Sequence, residues 1–184
     1  MTKNLKISFI ILGVLIGLYL IDQNSQSKYK STSKLIFSHD KDQINKFLIQ
    51  NGNEAIELTK IDTAWTISGN DTLVMKSQSI DNLFDKVLES NTISIQSEKP
   101  EKYNLYSVDD SSGIHLAVID QEGETIEYFI FGRSKSDYQR CNIRIGDDPK
   151  VYLLDQNVTY MLQTRETYWG EKPQEIIPTD LEVQ

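Results

Sequence analysis

The sequence lacks a second cysteine. Cys141 stands alone among 184 residues, so no intramolecular disulfide can form, and an exported domain must be held by its apolar core. There are only two histidines, His39 and His115, and neither has useful company. His39, Asp40 and Asp42 follow one another in a loop-like stretch, a poor spacing for a metal ion. His115 lies next to Ile114 in a strand-like pattern. Gly-x-Ser-x-Gly, His-Glu-x-x-His, Cys-x-x-Cys and a Gly-rich phosphate loop are all missing. The carboxylate pairs Asp109-Asp110 and Asp147-Asp148 fall in turns and lack the alternating ligands of a calcium loop. The sequence therefore offers no catalytic, cofactor-binding or metal-binding residue. Positive charge is also scarce, with 19 Lys and Arg against 27 Asp and Glu and a net charge of −8. Residues 1–34 contain five Lys and one Asp, so residues 35–184 carry −12. Such an acidic body is repelled by phosphate backbones, which excludes nucleic acid as the expected partner.

Long apolar runs are scarce as well, and the single one is informative. Ile7 to Ile21 carries no charge, follows Lys3 and Lys6, and stops at Asp22. At ~1.5 Å per residue it is short of a ~30 Å hydrocarbon core. Leu5 extends it, Lys6 can snorkel, and Tyr19 suits the far interface. Apolar residues occupy every side of this run rather than one stripe, which argues against a buried core helix. A retained anchor and a cleaved signal give the same topology, with the amino end cytoplasmic and the bulk of the chain extracytoplasmic. Ser25-Gln26-Ser27 is a poor cleavage site, so the retained single-pass anchor is preferred. No Cys follows the run, so a lipoprotein anchor is excluded. Residues 1–22 are thus read as a signal-anchor that meets the membrane through residues 5–21. Residues 23–33 form a polar linker.

Residues 34–170 read as one exported α+β domain, and residues 171–184 as a tail. Leu35-Ile36-Phe37 is a short apolar run. Ile44, Phe47 and Ile49 precede an Asn51-Gly52-Asn53 turn, and residues 55–60 then alternate at period two. Trp65-Thr66-Ile67, the turn Gly69-Asn70-Asp71 and Leu73-Val74-Met75 complete an antiparallel meander. Ile80, Leu83, Phe84, Val87 and Leu88 form one helical stripe, with Ser77 or Ser79 placed to cap its start. Ile93-Ser94-Ile95 is strand-like, and Pro100 to Gly113 reads as a loop. A second set follows: Ile114 to Ile119, Thr125 to Phe131, Tyr138 to Ile145 and Lys150 to Leu154. A short helix then carries Val158, Met161 and Leu162. Residues 49–57 and 119–127 align at an offset of 70, which suggests an internal duplication of two β-meander units, 43–90 and 114–166, each with a packing helix.

The stretches "LIFSHDKDQINKFLIQNGNEAIELTK", "AWTISG", "IDNLFDKVLES", "EKYNLYSVDD", "YFIFGRS", "NIRIGDDPKVYLLD" and "RETYWG" together resemble the family called domain of unknown function 4340, over about Lys34 to Gly170. Asn104 stands where that family more often has Gly, and the "RETYWG" stretch matches loosely. The resemblance implies a bacterial, membrane-anchored extracytoplasmic domain associated with ABC-type export or gliding-like systems. It implies no catalytic residues.

Within the acidic body one cluster is basic and aromatic: Arg133, Tyr138, Arg140 and Arg144. It is the candidate docking site for an acidic partner or a sugar. The expected function is a non-enzymatic module that contacts an envelope or ABC-type transport complex. The alternative is an envelope hydrolase or carbohydrate-binding protein.

Overall fold

The computed structural model describes residues 33–173 together with three positions of the apolar run, Leu12, Leu15 and Ile16, which are helical and exposed. The rest of the expected anchor, the linker before Ser33 and the tail from residue 174 lie outside the described residues. Among the described residues no helix is long and apolar enough to cross a membrane.

The domain is built on one antiparallel sheet of nine strands. In chain order these are β1 (Lys34–Leu35), β2 (Ile44–Asn51), β3 (Glu54–Ile61), β4 (Ala64–Ile67), β6 (Asn91–Ser97), β7 (Ile114–Asp120), β8 (Thr125–Arg133), β9 (Cys141–Ile145) and β10 (Val151–Leu154). Their spatial order is β1-β6-β10-β9-β8-β7-β2-β3-β4. Two short strands, β5 (Val74–Met75) and β11 (Gly170–Glu171), pair with each other outside this sheet. The α+β reading therefore holds in its coarse form, with most of the regular structure in strands. The stretch Leu73-Val74-Met75, expected to continue the meander, instead leaves it.

Period-two alternation decides which side of the sheet is dry. Phe47 and Ile49, Leu116 and Val118, Phe129 and Phe131, and Cys141 and Ile143 all point to one face and are fully buried. That face is covered by helix α1 (Ser77–Asn82), which runs straight into a π-helical segment, Leu83–Val87. The widened turn is closed by the Leu88 amide donating to the Leu83 carbonyl at 3.0 Å. Of the predicted stripe, Ile80, Leu83, Val87 and Leu88 are buried against the sheet, and Phe84 packs on the same core partly buried. Neither serine caps the helix: Lys76 occupies the cap position without a side-chain bond, and Ser79 Oγ donates to the Tyr168 carbonyl at 3.0 Å. Phe47, Trp65 and Phe84 form an aromatic trio, with Trp65 stacked on Phe47 at 5.2 Å and Phe84 edge-on to both.

The second unit has no equivalent of α1. Only a 3₁₀ turn, Thr159–Met161, follows β10. Asn157 Oδ1 accepts from the Thr159 amide and hydroxyl there, which satisfies the polar side chain locally. A four-residue helix, α2 (Glu166–Trp169), then brings Trp169 into the core, where it is fully buried and its Nε1 donates to the Gln163 carbonyl at 2.7 Å. The predicted loop 100–113 contains a 3₁₀ helix, Pro100–Leu105, started by Pro100 at its first position.

The offset of 70 relates positions on opposite faces of the pleat. It maps Phe47 onto Ala117, whereas the ladder pairs Phe47 with Val118. It maps Leu58, which is fully buried, onto Tyr128, which is exposed. Side chains alternate along a strand, so only an odd offset can match faces across this pair.

Candidate functional site

The opposite face of the sheet has a smaller covering. The 3₁₀ helix and the chain after it lay Tyr103, Tyr106 and Val108 over Ile130 and Val151 to make a second, minor core. The approach is close because β8 contributes a glycine. A Cβ on Gly132 would stand 2.2 Å from the Tyr106 carbonyl oxygen. Asn142, one strand over and buried, donates through Nδ2 to that same carbonyl at 3.2 Å. Asp109 closes the loop as a turn, its carboxylate accepting from the Ser111 and Ser112 amides and hydroxyls. The Ser111 and Ser112 hydroxyl bonds hold its carboxyl well below the usual carboxylate range.

Beside this covering lies a connected set of polar side chains. Arg144 on β9 pairs in register with Ile130 on β8, which pairs with His115 on β7, so both polar residues share the face under the loop. Arg144 Nη2 donates to Asp110 Oδ1 at 2.6 Å. Its guanidinium also lies 4.5 Å over the Tyr103 ring, a cation–π geometry. His115 Nε2 donates to the Asp110 carbonyl at 3.1 Å. That leaves Nδ1 unprotonated in the neutral ring and able to accept from the Tyr128 hydroxyl, with which it is hydrogen-bonded. Burial and the nearby Asp110 carboxylate raise the Tyr128 pKa, so its hydroxyl stays protonated and donating at neutral pH. The one buried side-chain polar atom without a partner among the described residues, Arg144 Nε, belongs to this set.

Tyr103, Tyr128 and Arg144 line a hollow of about 470 Å³. Its rim is acidic, formed by Glu127 on β8 and by Asp147 and Asp148 in the β9–β10 turn. That turn is drawn in by the Gly146 amide, which donates to the Tyr128 carbonyl at 2.7 Å.

The four residues of the predicted docking cluster are distributed unevenly. Arg133 pairs in register with Cys141 and so takes the core-side face at the end of β8. Tyr138 and Arg140 stand in the β8–β9 connection, Tyr138 being 85% exposed and Arg140 paired with Asp137 at 3.6 Å. Arg144 alone lies in the hollow, on the other face. Three positions separate it from Cys141, which at period two means opposite sides. Asp110, His115, Tyr103 and Tyr128 escape the sequence reading as partners of Arg144. Their only sequence-level signal is the alternation on β7–β9, and that is not interpretable without strand order. Cys141 is a buried small side chain, its Sγ donating to the Gln156 carbonyl at 3.4 Å, and burial pushes its thiol up to about 12.

A family model described as Domain of unknown function (DUF4340) matches residues 65–178, more than half of the chain. The match opens inside β4, leaving β2 and β3 outside it. No curated protein and no solved structure matches.

Proposed function

The chain belongs to the DUF4340 family, and from that footing we propose that it is a membrane-tethered extracytoplasmic module that docks on an envelope or ABC-type transport complex. The tether is supported by the uncharged run Ile7 to Ile21 behind Lys3 and Lys6. The docking function rests on one observation: Arg144 and Tyr128, which line an open hollow, are held from behind by Asp110 and His115. A general base has to keep a lone pair free for its substrate. Here the His115 lone pair is taken by Tyr128, and Asp110 Oδ1 is taken by Arg144. A prewired Arg flanked by tyrosine rings suits recognition, since Arg and Tyr supply much of the binding energy at protein interfaces. The same wiring favours docking over the hydrolase alternative.

Two measurements test this. Alkaline carbonate extraction of native membranes is expected to leave the chain in the pellet; release into the supernatant sinks the tether. A photo-crosslinker in place of Leu105, exposed at the end of the 3₁₀ helix that carries Tyr103, is expected to capture a subunit of a membrane transport complex. That crosslink should be lost on Arg144→Ala. Absence of any such crosslink, or its indifference to Arg144→Ala, counts against docking through this hollow.

A further inference from the structure

On the core-side face, beyond the rim formed by Glu127 and Asp148, the entry segment Lys34–Ser38, which begins as edge strand β1, borders a second cavity of about 370 Å³. Its size falls in the range of small-ligand sites. The lining is of two kinds. Ile36, Ile95 and Ile145 make an aliphatic wall. Lys34 and Lys150 bring two ammonium groups, and Glu127 and Asp148 bring two carboxylates.

Those four charges do not neutralise one another. Among the described residues, Lys34, Lys150 and Asp148 enter no ion pair, and Glu127 has only His39, at 4.0 Å. Asp148 is nevertheless fixed in place. The Tyr152 hydroxyl donates to its Oδ2 at 2.6 Å, and the Lys150 amide donates to its Oδ1 at 3.0 Å. A neutral ligand seated here would displace water from charges of both signs and return nothing to them, a costly exchange. A ligand with one ammonium, one carboxylate and an aliphatic body would answer both signs and the wall together.

We propose that this cavity binds a short zwitterionic peptide with aliphatic side chains. Its free amine meets Glu127 and Asp148, its terminal carboxylate meets Lys34 and Lys150, and its side chains rest on Ile36, Ile95 and Ile145. The proposal does not depend on the membrane tether. Glu127 and Asp148 also form the rim of the docking hollow, whereas Lys34, Lys150 and the aliphatic wall belong to this cavity and not to the hollow.

The test is calorimetric titration of the full chain in detergent micelles. The probes are dileucine, N-acetyl-dileucine, dileucine amide and the uncharged sugar chitobiose. Dileucine is expected to bind saturably, and blocking either terminus to weaken it by about tenfold or more, as loss of a charge-assisted contact should. Asp148→Asn and Lys150→Gln should each do the same, and Ile145→Trp should abolish binding by filling the cavity. Near-ultraviolet circular dichroism of the buried Trp169 reports whether each variant is folded. Any variant that fails it is replaced by Lys34→Gln, expected to weaken dileucine equally. Equal binding of blocked and free dipeptides overturns the proposal. So does the absence of saturable heat up to millimolar dileucine, or a preference for chitobiose.

Discussion

Arg144 and Asp110 join the ninth strand to the loop that covers the minor core, through an Nη2 to Oδ1 bond of 2.6 Å. The two residues are unequally placed: the Arg144 side chain is 18% exposed and that of Asp110 84%. Solvent weakens the pair itself, which should be worth no more than about 1 kcal/mol. Arg144 also packs over the Tyr103 ring. Arg144→Ala is therefore expected to destabilise by roughly 1–2 kcal/mol, since packing and cation–π contact are lost with the charge. Asp110→Ala should cost less than half of that. Urea unfolding of both variants checks the ranking, and equal costs would contradict it.

The aromatic trio locks α1 to the sheet. Phe47 is fully buried, and Phe47→Ala should cost about 3–5 kcal/mol. Trp65 and Phe84 meet edge-on at a ring separation of 5.8 Å. A double-mutant cycle over Trp65→Leu and Phe84→Leu should give a coupling of about 0.5–1.5 kcal/mol. Strict additivity would show that the ring geometry contributes nothing beyond buried area.

Two glycines should respond differently to alanine. Gly123 has φ +86 with open space around it, so Gly123→Ala meets only backbone strain of about 1 kcal/mol. At Gly132 the added methyl would overlap the Tyr106 and Ser107 carbonyl oxygens, at 2.2 and 2.5 Å. Gly132→Ala should therefore cost more than Gly123→Ala and should raise amide exchange in residues 106–112. A Gly132→Ala protein with parental melting temperature and exchange would refute the close approach.

Cys141 should resist alkylation in the native protein and react only on unfolding, because burial disfavours its thiolate. The linkage has a definite sign. The thiol pKa is about 12 folded against 9.0 as the reference, so the unfolded chain loses its proton first as pH rises. The contribution is complete below pH 9 and is lost progressively toward pH 12. Cys141→Ala should thus show a shallower fall in urea midpoint between pH 8.5 and about pH 10, before the tyrosines join. Parallel curves for parent and variant would exclude the effect.

Legibility from sequence tracked the range of the interaction. The stripe Ile80, Leu83, Phe84, Val87 and Leu88 was readable because helix period and apolar spacing are local. The turns at Gly52 and Gly123, both with positive φ, were readable for the same reason. The departure of Leu73-Val74-Met75 from the meander was not, since its partner is Gly170–Glu171, nearly a hundred residues away. The split of Arg133 from Arg144 was equally hidden. Charge and closeness along the chain placed them together, and pairing register put them on opposite faces.

Composition and local period by themselves determined an acidic, disulfide-free, β-rich domain behind one apolar run, and they carried the family resemblance. Those properties depend on residue type and near neighbours alone. Tertiary structure decided which strands are adjacent, which face each charged residue takes, and that Arg144 meets Asp110, His115 and Tyr128. The alternation of side chains makes a face assignment reverse with a single-residue slip. Only the observed pairing of distant strands removes that ambiguity.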